Sequence, residues 1–335
     1  MPVHAKNNPA NNPARPASGS SLTLGNTLPP GSSPSHPLDL ASFLDSPARQ
    51  VVMGHVLFIH AHPDDEAVQT GALVAALAAR TQVSILTCTR GEMGEAIPGV
   101  LPENATAQDF IAQRLRETAR GREILGAQAG YFLGTPPALA PGAHARHYSD
   151  SGMRWIREGL AGPAPQAPAN ALALLPLAQE VDDAVALATA IGATVLIGYD
   201  AEGSYGHPDH LRAHEIALGV ARRTGLPLFE IASGGIAPGS GVASGSSVAS
   251  ADTSGDTYGS APGITPGGAA VAPPAEGAFT WVDVSGYVDT AARALAEYRT
   301  QLSLVEKQGR LMIRHVGGQY QEIYAQAGLR ARSLP

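Results

Sequence analysis

The chain has 335 residues, 44% of them hydrophobic but only 5% aromatic, and a formal net charge of -7. Its core is therefore built from Ala, Val, Leu and Ile, and with Lys6 and Lys307 as its only lysines it offers no basic face to nucleic acid or to a polybasic-binding membrane. The single cysteine, Cys88, excludes an internal disulfide and a cysteine-built zinc cage. No run of about 18 apolar residues occurs and the N-terminus lacks an apolar signal core, so the expectation is a cytoplasmic protein with no membrane span.

Residues 1–49 are rich in Pro, Asn, Ser and Gly without any period, and read as a disordered low-complexity tail. "HVLFI" (55–59) reads as a buried strand of a parallel sheet, and "VSILTC" (83–88) as another. "AVQTGALVAALAAR" (67–80) between them reads as a helix, with Leu73 and Leu77 one turn apart. "TAQDFIAQRLRETARGREIL" (106–125) is a longer helix whose Thr106 and Asp109 have capping-box spacing. "GYFLG" (130–134) is a short strand, and 162–170 an Ala/Pro linker. "LAQEVDDAVALATAIG" (177–192) is a helix that feeds the strand "ATVLIGYD" (193–200). "GLPLFEIA" (225–232) is a strand interrupted by the stretch 233–277, which is rich in Gly, Ser, Ala and Pro and has no Leu, Phe, Lys or Arg. That stretch reads as a flexible surface insertion. "DVSGYVDTAARALAEYRTQ" (283–301) closes the series as a helix with Val288, Ala291, Leu295 and Tyr298 on one face. Alternation of this kind predicts a single α/β domain over 50–332, a mostly parallel Rossmann-like sheet with helices on both faces. In such sheets ligands bind beyond the carboxyl ends of the strands.

Two polar turns fall at that edge. "HAHPDDE" (60–66) follows the first strand, and "YDAEGSYGHPDH" (199–210) follows a later one. His62, Asp65 and His210 offer two imidazoles and one carboxylate, which suits a zinc-type divalent ion and leaves a position open for water. Bound in that way, the ion acidifies the water and polarises a carbonyl. Asp64, beside a ligand but aimed elsewhere, is a candidate general base. His207, if protonated, could donate to an oxyanion. Asp209 could orient and charge-stabilise one of these imidazoles. Pro63 and Pro208 stiffen the two turns. His55 and His60, within the strand, read as hydrogen-bonded packing residues. His144, His147 and His214 read as loop or helix-surface residues, and Cys88 as a buried strand residue.

"AHPDDE" (61–66) paired with "GHPDH" (206–210) resembles the LmbE/PIG-L family of metal-dependent N-deacetylases. "TCTRGEMGE" (87–95), "RLRE" (114–117), "DSGM" (150–153) and "YRTQ" (298–301) are most similar to its mycothiol-pathway branch, which acts on N-acetylglucosaminyl-inositol. The resemblance covers roughly 52–232 and 279–325. It implies a Rossmann-like sheet and hydrolysis of acetate from an N-acetylglucosamine conjugate, inositol- or malate-linked, in mycothiol or bacillithiol biosynthesis. Carried over by motif, it implies His62, Asp65 and His210 as ligands of zinc or ferrous iron and Asp64 as base. His207 would be the oxyanion donor, tuned by Asp209, and Tyr205 a mobile group polarising the amide. Arg114, Glu92 and Glu95 would lie near the sugar or aglycone. The partner expected is this small molecule, with no nucleic acid and homo-oligomerisation left open. A thiol S-conjugate amidase and a catalytically dead sugar-binding module remain as rival readings.

Overall fold

A computed structural model describes residues 38–40, 54–157, 160–233 and 277–334. Eight strands form the main sheet in the order β1-β9-β13-β8-β7-β2-β3-β4. These are β1 (Leu38–Asp39), β2 (His55–His60), β3 (Gln82–Thr87), β4 (Ala129–Phe132), β7 (Val195–Tyr199), β8 (Leu228–Ile231), β9 (Thr280–Asp283) and β13 (Gln326–Arg332). A hairpin of β5 (Arg154–Arg157) and β6 (Leu160–Gly162) stands apart. So does a three-stranded antiparallel sheet of β10 (Leu302–Lys307), β11 (Arg310–His315) and β12 (Tyr320–Glu322).

Strand β2 organises the domain. It pairs in parallel with β3 on one side and β7 on the other, and all six of its residues are buried. Successive side chains of a strand point to opposite faces. Val56 and Phe58 accordingly enter one core with Leu73, Leu77, Leu125, Ala291 and Leu295. Leu57 and Ile59 enter a second core with Ala184, Leu187, Ala213 and Ala217. The first core is roofed by α2 (Gly71–Ala78), α3 (Ala107–Leu125) and α6 (Val288–Leu295); the second by α4 (Leu177–Ala190) and α5 (Pro208–Thr224). A single-turn helix, α1 (Asp65–Val68), leads from β2 into α2. Helix α3 begins with the expected capping box, Thr106 and Asp109 each satisfying the other's backbone N–H.

The strands read in the sequence are present, and β8, β7, β2, β3 and β4 run parallel. The chain moves outward from β2 through β3 to β4, then returns to the other side of β2 for β7 and β8. The switch point therefore lies between β2 and β7, where open α/β sheets bind ligands.

Several features differ from the sequence reading, among them the β5–β6 hairpin, which was not expected, and the helix read over 67–80, which is divided between α1 and α2. Leu38–Asp39, inside the stretch read as a tail, pairs in parallel with β9, and Leu40 is buried. The last helix ends at Leu295, not at 301, and Tyr298 reaches the core from the following turn. Residues 302–332 form four strands, one of which, β13, runs antiparallel between β8 and β9. The two-residue Gln308–Gly309 loop of the β10–β11 hairpin has positive φ at both positions (54° and 74°), as a type I′ turn requires, and Gly309 is the one residue there whose type favours it. The rest of the 1–49 tail lies outside the described residues, apart from Leu38–Leu40, as does the insertion apart from its end residues, Ser233 and Gly277. No helix among the described residues is long and apolar enough to cross a membrane.

Candidate metal centre

Both His-Pro-Asp turns sit at the switch point. The first leaves β2, and the second leaves β7 and enters α5 with Pro208 in its first turn. Their donor atoms converge. His62 Nδ1 lies 3.3 Å from Asp65 Oδ2, His210 Nε2 lies 3.4 Å from Asp65 Oδ1, and the two imidazole nitrogens are 3.3 Å apart. A tetrahedral ion with bonds of about 2.0–2.1 Å needs donors about 3.3–3.4 Å apart. The residues present therefore fit a small divalent cation.

The neighbours of each imidazole favour the tautomer that a cation requires. His210 Nδ1 sits 3.2 Å from the Gly203 carbonyl, to which it can only donate, so its Nε2 lone pair faces the centre. His62 Nε2 sits 3.2 Å from Asp209 Oδ2, which leaves Nδ1 toward Asp65 and His210. Tyr199, at the end of β7, stacks on His210 with the rings 4.5 Å apart and accepts from the Ala61 N–H. The charge balance agrees with the geometry. Burial opposes a proton on His62, yet Asp150, Asp209 and Asp65 outweigh it and hold the imidazole well above its usual range. Three carboxylates thus draw positive charge to this point. Among the described residues, the donor atoms of two sets lie within 4.8 Å of one another, His62 with His207 and His210, and His62 with Asp150 and Asp209. His62, Asp65 and His210, the ligands expected from sequence, lie together here, with Asp65 meeting one imidazole through each of its two carboxylate oxygens.

Asp64 stands differently from its neighbour. Its backbone has φ 110° and ψ −28°, a region that costs a non-glycine residue about 1–3 kcal/mol. Arg114 spans this turn, donating to the Pro63 carbonyl (2.6 Å), the Gly91 carbonyl (2.7 Å) and Asp64 Oδ2 (3.1 Å). Burial pushes the Asp64 carboxyl up to about 7; Arg114 opposes this, while Asp65 and Glu66 add to it.

His207 caps α5 with its Nδ1, which accepts the Asp209 N–H. A neutral imidazole in that arrangement carries its proton on Nε2. Burial, reinforced by His62 and His210, lowers its pKa to about 2, so it is a neutral donor rather than the protonated one expected from sequence. The Asp209 carboxylate acts on His207 through its charge, which works to raise that imidazole's pKa, while its hydrogen bonds go elsewhere. It accepts from Ser151 N–H, Ser151 Oγ–H and His62, so it orients the candidate ligand. Tyr205 is half-exposed beside the two histidines, its ring 5.1 Å from His210 and 6.0 Å from His207.

The residues expected near the sugar divide. Arg114 is buried and spends its donors on the turn. Glu92 pairs with His147 and accepts the Asp150 N–H. The Glu95 side chain is exposed. Sequence reasoning misses two residues of the "DSGM" motif, of which Asp150 lies 3.7 Å from His62 Nε2 and Ser151 anchors Asp209. The 162–170 stretch is not a free linker, since the Ala164 N–H donates to the Ser151 carbonyl. His55 and His60 bond Ser84 and Thr70 inside the sheet. His214, read as a surface residue, is buried and bonded to the Tyr199 carbonyl because it lies on the sheet side of α5. Cys88 is buried, and burial with nearby Glu180, Asp209 and Asp65 pushes its thiol pKa well up.

Residues 57–221 match the PIG-L family model, described as GlcNAc-PI de-N-acetylase, so the chain carries a PIG-L/LmbE domain. Over 175 residues it is 39% identical to the 1D-myo-inositol 2-acetamido-2-deoxy-alpha-D-glucopyranoside deacetylase of Nocardioides sp. strain JS614, covering 52% of this chain and 56% of that protein. The chain thus spans about half the length of the curated relatives it matches. Among solved structures, N,N'-diacetylchitobiose deacetylase from Pyrococcus horikoshii is 20% identical with a TM-score of 0.36, covering 50% of this chain and 49% of that one. The 4-carboxy-2-hydroxymuconate hydratase from Pseudomonas putida KT2440 is 14% identical with a TM-score of 0.43, covering 84% and 97%.

Proposed function

We propose that the PIG-L domain of this chain is a divalent-metal-dependent amide hydrolase that releases acetate from an N-acetylglucosamine conjugate, with N-acetylglucosaminyl-inositol as substrate. The observation that carries this reading is the convergence of His62 Nδ1, Asp65 and His210 Nε2 at 3.3–3.4 Å from one another, with Asp64 beside them. The relative's name supports the sugar and the inositol. Zinc or ferrous iron held by His62, Asp65 and His210 would polarise the amide carbonyl and lower the pKa of water from about 15.7 toward 7. Asp64 takes the proton of the attacking water, a task suited to a carboxyl titrating near neutrality. His207 donates its Nε2 proton as a hydrogen bond to the oxyanion, for which a neutral imidazole suffices. Tyr205 adds a second donor from the mouth of the site. Asp64 then returns the proton to the leaving amine as the C–N bond breaks, giving acetate and a free amino sugar. Such an amine suits a step in the biosynthesis of a low-molecular-weight thiol such as mycothiol.

A substrate panel tests this. Acetate release is measured on inositol-, malate- and lipid-linked N-acetylglucosamine and on a thiol S-conjugate amide. The inositol conjugate is expected to be fastest, with activity lost on exhaustive chelation and restored by zinc or ferrous iron. Full activity in verified metal-free protein would overturn the reading. Cleavage confined to the S-conjugate would favour the amidase, and sugar binding without turnover the dead module.

A further inference from the structure

The segment "YRTQ" (298–301) lies beyond the 57–221 stretch matched by the family model, on a turn that follows α6. It is nevertheless tied to three parts of the site. The Tyr298 hydroxyl donates to Glu66 Oε1. Thr300 donates to Glu117 of α3 through its N–H (3.1 Å) and its hydroxyl, and its carbonyl accepts the Ile97 N–H (2.8 Å). Gln301 Nε2–H donates to the Glu95 carbonyl (2.9 Å). Both Tyr298 and Glu66 are fully enclosed, at 1% and 0% exposure. Tyr298 lies so close against Gly121 of α3 that a Cβ there would come within 2.3 Å of the hydroxyl oxygen.

Glu66 continues the chain of contacts into the catalytic turn. Its second oxygen, Oε2, accepts the backbone N–H of Asp64 at 3.1 Å. That N–H belongs to the residue whose φ of 110° no ordinary side-chain-bearing residue prefers. Such a conformation persists only where its surroundings over-determine it. From above, Arg114 grips the Pro63 carbonyl and the Asp64 carboxylate. From below, Glu66 grips the Asp64 N–H and is itself held in place by Tyr298.

We propose that Glu66 and Tyr298 are positioning residues for Asp64, with Glu66 fixing the backbone of the base and Tyr298 fixing Glu66. The inference rests on the reading of Asp64 as the base. Glu66 follows Asp65 in the chain, but the hydrogen bonds of its side chain go to the Asp64 N–H and the Tyr298 hydroxyl and not to the three candidate ligands, so the effect of the pair is expected on the rate and not on metal content. Displacement of a reacting group by about 1 Å costs on the order of 10²-fold.

The test uses the full-length, metal-loaded protein and its Tyr298→Phe, Glu66→Ala and Glu66→Gln variants. Tyr298→Phe is expected to lower kcat about tenfold with KM and bound metal unchanged, the pattern of an interaction felt in the transition state. Glu66→Ala is expected to lose about 100-fold. Glu66→Gln restores most of that loss, because its amide oxygen accepts the Asp64 N–H while its NH₂ donates to the Tyr298 oxygen. Tyr298→Phe added to Glu66→Ala costs nothing further, since the two act in series. Amide hydrogen exchange at Asp64 in the metal-free protein gives a readout that needs no substrate, and both single losses are expected to speed it. If wild type releases acetate and kcat stays within about twofold in Tyr298→Phe and Glu66→Ala, the positioning role is overturned. Additive losses overturn it too. If wild type releases no acetate, the functional reading fails. Exchange then decides: unchanged Asp64 exchange in Glu66→Ala overturns the clasp, and faster exchange upholds it.

Discussion

Asp65 lies with one carboxylate oxygen toward His62 and the other toward His210, while Asp64, one residue earlier, turns its carboxylate to Arg114. The left-handed backbone at Asp64 makes this divergence possible, because it rotates one side chain out of the line of the next. Asp65→Ala is expected to lose bound metal and rate together. Asp64→Asn is expected to keep stoichiometric metal and lose about 10²–10⁴-fold in rate, checked by elemental analysis beside kinetics. The pH profile separates them further. Wild-type kcat/KM should rise with pH as Asp64 ionises, along a limb set by a carboxyl near 7 that a bound cation would draw lower. Asp64→Asn should lack that limb. An alkaline fall governed by His207 is not expected, since that imidazole is already neutral throughout.

Glu180 is a second residue whose chemistry departs from its surroundings. Its side chain is fully buried in α4, neither oxygen has a hydrogen-bond partner among the described residues, and Arg212 approaches only to 3.7 Å. Burial raises its carboxyl to about 8, an effect that Arg212 partly offsets. The folded state then holds a proton that an unfolded chain would release above its ordinary value of 4.5. Its contribution to stability is present below that value and declines as pH rises toward 8. Glu180→Gln should therefore raise the melting temperature at pH 8 and flatten its fall between pH 5 and 8. An unchanged slope in thermal scans across that range would refute the assignment.

At the scale of elements, α5 carries the site and must lie flat on α4. Gly219 makes this approach possible: a Cβ at that position would come within 2.4 Å of Val181 Cγ2. Val181 is β-branched and buried, with little freedom to turn away. In Gly219→Ala two effects compete. Helix propensity favours alanine by about 1 kcal/mol, whereas overpacking costs about 1–3 kcal/mol. The packing term is expected to win, with a lower urea midpoint, and Val181→Ala in the same chain should recover part of the loss. The same register explains His214. One turn beyond His210 on α5, it faces the sheet and meets the Tyr199 carbonyl at 2.8 Å.

For the whole molecule, a strand late in the chain, β13, is inserted between β8 and β9. β8 and β9 flank the 233–277 stretch and do not pair with each other; each pairs with β13. Their placement is thus secured without reference to what connects them. Replacement of 234–276 by a short Gly/Ser linker is expected to leave the melting temperature nearly unchanged, because loop closure changes by only about 0.6 kcal/mol per doubling of length. A large drop would show that the segment packs. Removal of 326–332, by contrast, strips β8 and β9 of their common neighbour and is expected to prevent cooperative folding.

The five parallel strands and the long helices between 55 and 232 were legible from sequence alone, because their apolar periodicity is long and local chemistry such as the Thr106–Asp109 box reinforces it; the short β5–β6 hairpin, which lacks such a pattern, was not. The sequence also placed two His-Pro-Asp turns at one sheet edge, since parallel strands must bring their carboxyl ends to the same side. Partners were another matter. That the Asp209 carboxylate hydrogen-bonds His62, that Arg114 spends its charge on the Asp64 turn, and that Tyr298 reaches Glu66 from 232 residues away are facts of tertiary contact. Burial decided the proton states in the same way, leaving His207 neutral and raising Asp64 toward neutrality. Residue type and spacing set which groups can ionise or donate; only the fold sets the distances and desolvation that decide which of them do.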